Sequence, residues 1–184
     1  MRIIILILAA LLCTTTAKEP VVQEIVEVIE GLLEGIFQDA FPVAECIEDS
    51  HLIIEDIEAA ANALQKGMDI TNIADAIISI GKTVKVVPQA VSDCKSCVGI
   101  IKKIEGLSEL FDNPMHTLEK IGITIVWHQK DVTKDIKAAV TSWKGRDFKG
   151  FGLNIGKMIG ILTVPQPVGK MSAKDAAQFL SGLI

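Results

Sequence analysis

Apolar residues recur at helical spacing along most of the chain. Val22, Ile25, Val26, Ile29, Leu32, Leu33 and Ile36 form one stripe, with Glu24, Glu27, Glu30 and Glu34 opposite. Phe41-Pro42 interrupts that pattern, and a second stripe follows through Val43, Ile47, Ser50, Ile54, Ile57, Ala61 and Leu64 as far as Lys66-Gly67. A third, through Ile70, Ile73, Ile77, Ile80 and Val84, is expected to end before Pro88. Pro88 then reads as the first turn of a fourth helix reaching Phe111, because proline's missing N–H has no partner there in any case. Asn113-Pro114 repeats the device for a fifth helix to about His128.

Asp131 reads as the cap of a sixth helix with Val132, Ile136, Ala139, Val140 and Trp143 on its buried face. After the turn at Lys144-Gly145-Arg146, a seventh uses Phe148, Phe151, Ile155, Ile159 and Leu162. Ser172 with Asp175 resembles a capping box for a short terminal helix. Two stretches, 82–87 and 121–127, are rich in β-branched residues. Each lies inside a longer helical pattern, so helix is expected there too. The pattern predicts an all-α, single-domain bundle of about seven or eight helices.

The first 17 residues do not join that pattern. Arg2, the apolar run Ile3 to Leu12 and the small residues Thr14 to Ala17 have the order of a secretory signal peptide, with cleavage expected between Ala17 and Lys18. A membrane-spanning helix needs about 20 apolar residues, roughly twice that run. Residues 18–184 then form one helical domain, expected to be soluble, without a transmembrane segment, and secreted or held in the lumen of the endomembrane system. No Asn-x-Ser/Thr acceptor for N-glycosylation occurs.

Charge is uneven. Lys18 to Asp69 holds 13 acidic residues against two lysines, a net charge of −11, while Ile70 to Ile184 carries a net charge of +5. Acidic outer faces of the early helices beside basic faces of the later ones explain this more simply than a dipolar docking surface. The basic half has few aromatics and no dense Lys/Arg run, so no nucleic-acid partner is expected.

Export changes the reading of the cysteines. Loss of Cys13 with the leader leaves Cys46, Cys94 and Cys97 in an oxidising compartment. All three fall on apolar helix faces. A bridge from Cys46 to the fourth helix would close a loop of about 50 residues, contributing roughly 3–4 kcal/mol in the chain-entropy view. Spacing does not choose between Cys94 and Cys97. The leftover cysteine is either buried or available for a covalent homodimer. Cys94-Lys95-Ser96-Cys97 also has the form of a redox pair, but it lies well after Pro88 instead of at a helix N-terminus, where thiolate would be stabilised.

No other catalytic constellation stands out. His51, His116 and His128 lack the one-turn spacing of a helical zinc site, and there is no nucleophile elbow or phosphate-binding glycine loop. No catalytic, metal or cofactor residue is assigned, and the chain is not expected to be an enzyme. The sharper feature is Gly152, Gly156 and Gly160, every four residues along the seventh helix. Each glycine costs a helix about 1 kcal/mol relative to alanine, so a compensating close helix–helix approach is expected. In a membrane the same stripe would suggest a pore, but the run Phe151 to Val164 is short and contains Lys157.

The order of several short motifs is similar to a family of small secreted helical proteins common in ciliates and other protists. They are Gly-Leu-Leu-Glu-Gly-Ile-Phe from Gly31, Ala-Glu-Cys-Ile-Glu-Asp from Ala44, Pro-Gln-Ala-Val-Ser-Asp-Cys from Pro88, Phe-Asp-Asn-Pro from Phe111, and the glycine-rich stretch from Gly150. The resemblance implies an all-helical fold with Cys46 paired to Cys94. Cys97 departs from that pattern. The family brings no activity with it. The expected function is binding, with a protein or a small apolar ligand as partner. The alternatives are a membrane-active effector using the seventh helix and, less favoured, a thiol oxidoreductase.

Overall fold

The computed structural model describes residues 20–40, 43, 47, 51–91 and 98–163. All regular structure among them is helical: α1 (Pro20–Phe37), α2 (His51–Lys66), α3 (Ile70–Ala90), α4 (Val98–Ser108), a 3₁₀ turn (Glu109–Phe111), α5 (Pro114–Trp127), α6 (Gln129–Lys144) and α7 (Phe148–Thr163). The β-branched stretches 82–87 and 121–127 lie within α3 and α5, as their flanking starts and stops imply. The expected leader, its cleavage site at Ala17 and Lys18, all four cysteines and the expected terminal helix lie outside the described residues.

Three boundaries differ from the sequence pattern, each for a physical reason. Pro88 does not open a helix; α3 runs through it to Ala90. In the last turn proline forfeits one backbone hydrogen bond, and the fully buried Val84, Val87 and Val91 hold the turn against the core. Val91 N–H donates to Val87 O at 3.0 Å beyond the interruption.

Val43 and Ile47 are not helical, although both are wholly buried. Val43 N–H donates to Glu30 Oε1 at 3.2 Å, which ties this connection to α1. The four-residue spacing there reflects core anchoring without a helix. Lastly, α6 starts one turn early: His128 stands at its N-cap, and Asp131 lies in its first turn, where a carboxylate offsets the helix dipole.

Local capping fixes the remaining junctions. Asn72 N–H donates to Asp69 Oδ1 at 2.9 Å at the start of α3, and His116 N–H to Asn113 Oδ1 at 3.3 Å at the start of α5. Between α6 and α7, Arg146 adopts φ +59° and Asp147 accepts Gly150 N–H at 2.8 Å. A turn this short makes α6 and α7 an antiparallel pair.

The core is aliphatic. Ile29, Leu32 and Leu33 of α1, Ile53 and Ile57 of α2, Ile77 and Ile80 of α3, and Ile155 and Ile159 of α7 are buried. Two buried hydroxyls, on Thr83 and Thr124, have no hydrogen-bond partner among the described residues. Thr117, by contrast, donates to Leu110 O at 2.7 Å.

Candidate binding cleft

The first and last described helices make the most extensive helix–helix contact among the described residues. They run parallel: Gly31 lies beside Lys149 and Leu153, and Gly35 beside Leu153, Gly156 and Lys157. Glycines face backbone on both sides. A Cβ on Gly31 would lie 2.7 Å from Leu153 N, and one on Gly156 would lie 2.9 Å from Gly35 Cα. Gly152 sits as tightly against Val28 and Leu32. Gly160 is looser, with its nearest neighbour at 3.5 Å. Two of the three α7 glycines singled out by spacing are thus at the crossing, and the third lies beyond it. Gly31 and Gly35 carry the same four-residue signal in α1.

Charge complements this interface. Lys149 Nζ lies 3.0 Å from Glu34 Oε2, and Arg146 Nη2 lies 2.7 Å from Glu24 Oε1. Two acidic residues of α1 therefore pair with basic residues at the start of α7. The Glu34 hydrogen bond and charge hold the Lys149 ammonium above its ordinary pKa.

Beyond the crossing, the C-terminal ends of α1 and α7 and the first two turns of α6 surround an open cleft of about 790 Å³. The antiparallel α6–α7 turn brings the start of one helix to the end of the other. Gln38, at φ +55°, closes α1 by donating its N–H to Glu34 O at 2.8 Å, and so aims Asp39 and Ala40 along the rim. Glu34, Asp39, Asp131 and Asp135 bring carboxylates to the walls, and Lys134 and Lys157 bring ammonium groups. Gly35, Leu153, Gly160 and Ile161 supply the apolar lining.

Asp135 is the distinctive group. Burial raises its carboxyl pKa above the ordinary value, and Asp131 adds to that, against the opposing pull of Lys157 and Lys134. A partly desolvated carboxylate beside a lysine can exchange hydrogen bonds with a polar partner more strongly than a fully solvated one. Gly160 and Asp131 stand out in the sequence only as a packing glycine and a helix cap, and no charged residue of the cleft stands out as a binding group. Their charges are indistinguishable from an ordinary solvated helix face until α1, α6 and α7 are brought together.

Among the described residues no group of three or more His, Cys, Asp or Glu side chains is arranged to hold a metal ion. His116 is exposed on α5, and His128 stands at the junction of α5 and α6. The expected disulfide, and the cysteine that would be left over for a dimer, lie outside the described residues. No described helix is long and apolar enough to cross a membrane.

No solved structure matches the chain. A curated relative, "Secreted protein A" of Dictyostelium discoideum, is 26% identical over 104 residues, covering 53% of this chain and 58% of that protein. The chain therefore spans under two thirds of the relative's length. Residues 11–164, most of the sequence, match a family described as secreted protein B-like. These matches carry the secreted-protein part of the resemblance read from the motifs and not its attribution to ciliates and other protists. The chain belongs to the SctB-like family of secreted proteins.

Proposed function

We propose that the protein acts by binding rather than by catalysis, outside the cell or in the lumen of the endomembrane system, and that the cleft between α1, α6 and α7 receives its partner. The observation that carries this reading is the cleft of about 790 Å³, which has the size of a ligand site and charged walls of both signs. The glycine crossing beneath it fixes two of the three walls, so partner groups would meet a preformed surface. The charged lining favours a polar partner, a protein segment in particular, over the small apolar ligand. The apolar recess beside Trp143 holds only about 40 Å³, well under the roughly 300 Å³ at which ligand pockets begin.

Site-specific photo-crosslinking in the cells that make the protein tests this. A crosslinker in place of Asp39, on the cleft rim, is expected to give a discrete adduct that is absent when it replaces Asp75, exposed on α3. Equal labelling from both positions, or none from either, would remove the reading.

A further inference from the structure

Two helices end side by side at the cleft. α1 and α7 run parallel, and Gly35 and Ile36 of one last turn line it together with Gly160 and Thr163 of the other. Parallel packing brings both negative dipole ends to one place. A basic residue in the last turn commonly answers such an end, and neither helix has one.

The end of α1 is also open. Gln38 N–H donates to Glu34 O, but the carbonyl oxygens of Gly35 and Ile36 accept no hydrogen bond among the described residues. Both lie beside Gly160, where an added Cβ would stand 3.6 Å from Gly35 O and 3.5 Å from Ile36 O. Gly160 puts no side chain over them.

Carboxylates add to this field. Asp39 follows α1, and Asp131 and Asp135 stand one turn apart on α6. None of the three makes an ion pair among the described residues. Asp131 lies in the first turn of α6 and so offsets the positive end that this helix brings. Glu34 is already met by Lys149. Lys134 and Lys157 are exposed and pull on Asp135 through space, but neither makes an ion pair among the described residues.

We infer that the partner of this cleft is a basic protein segment, with a lysine or arginine side chain seated between the end of α1 and the start of α6. The inference rests on the reading of the cleft as the binding site and names the chemistry that fills it. A seated ammonium or guanidinium donates to Gly35 O and Ile36 O and faces Asp39 and Asp131, making the charge-assisted bonds that are strongest among hydrogen bonds. The cleft, at about 790 Å³, is far larger than one such side chain, so the segment's backbone and neighbouring residues occupy the remainder.

The test uses the purified full chain and fluorescein-labelled Gly/Ser peptides of about eight residues that carry two lysines, two arginines or two glutamates. Anisotropy is followed at constant ionic strength. Both basic peptides should bind saturably and at least about fivefold more tightly than the acidic one. Asp131→Asn and Asp39→Asn should each weaken that binding about threefold, the scale of one exposed charge. Asp75→Asn removes the same charge from the exposed face of α3 and should leave affinity unchanged, which separates a seated cation from general attraction to an acidic protein. Gly160→Lys supplies a cation beside the α1 carbonyls and should weaken binding at least about fivefold. Should that side chain disturb the thermal melt, the aspartate variants decide. No saturable binding, equal affinity for acidic and basic peptides, or equal effects of Asp75→Asn and Asp131→Asn would overturn the inference. A discrete cellular adduct from the Asp39 crosslinker alongside any of those results leaves the cleft standing and removes only the basic partner; loss of the adduct as well removes both.

Discussion

Gly35 and Gly156 meet across the α1–α7 crossing so closely that a single methyl group on Gly156 would come within 2.9 Å of the Gly35 Cα. The close approach is backbone against backbone, and no side-chain rotation can relieve an added methyl. Gly156→Ala and Gly152→Ala should each destabilise the fold by about 1–3 kcal/mol through overpacking. Gly160→Ala should be neutral or stabilising by up to about 1 kcal/mol, since it gains helix propensity with only ordinary contact at 3.5 Å. Urea denaturation of the three variants checks the ordering.

The unpaired hydroxyls of Thr83 and Thr124 predict the opposite sign. Valine has nearly the same shape and no polar atom to bury. Thr83→Val and Thr124→Val should each stabilise the protein by about 1 kcal/mol or more. Thr117→Val, which deletes a satisfied bond to Leu110 O, should destabilise it. A rise in stability for Thr117→Val would contradict this account.

Asp147 carries the start of α7, accepting Gly150 N–H at 2.8 Å and Ser142 Oγ–H at 3.1 Å. Asp147→Ala should cost about 1 kcal/mol, as helix N-caps commonly do. Thermal melts of the variant beside wild type give the value.

Asp135 sets a pH dependence. Its carboxyl pKa is higher folded than unfolded, so the folded chain binds the proton more readily. Its contribution therefore favours folding in acid and weakens as pH rises through the window above the ordinary carboxylate pKa. Asp135→Asn removes that penalty and should stabilise the protein at neutral pH, with the advantage vanishing in acid. Paired denaturation curves at the two pH values decide it.

The membrane-active alternative makes a separate prediction. With Gly152 and Gly156 turned onto α1 and α7 only 16 residues long, the protein should release no dye from liposomes at neutral or mildly acidic pH.

These residues also show what was legible in the sequence. The stripes of α1, α3 and α7 appear there because a buried helix face must repeat every three or four positions. Val43 and Ile47 kept that spacing without a helix, since burial alone is what the pattern records. At Pro88 a local break signal yields to the burial of Val84, Val87 and Val91. The glycine stripe on α7 was readable, but its partner was not, because spacing within one helix does not say which other helix it meets. The cleft was unreadable for the same reason, its charges coming from α1 and from the α6–α7 pair roughly a hundred residues further along.

The parallel pairing of α1 with α7 has a consequence for how an exported chain is made. α1 leaves the ribosome first, and its glycine ridge has nothing to dock on until α7 follows roughly a hundred residues later. At about 5–20 residues per second, that interval is on the order of ten seconds. Throughout it, the Gly31–Gly35 ridge and the apolar positions beside it lack their largest partner, so nascent chains should depend on chaperones until α7 arrives.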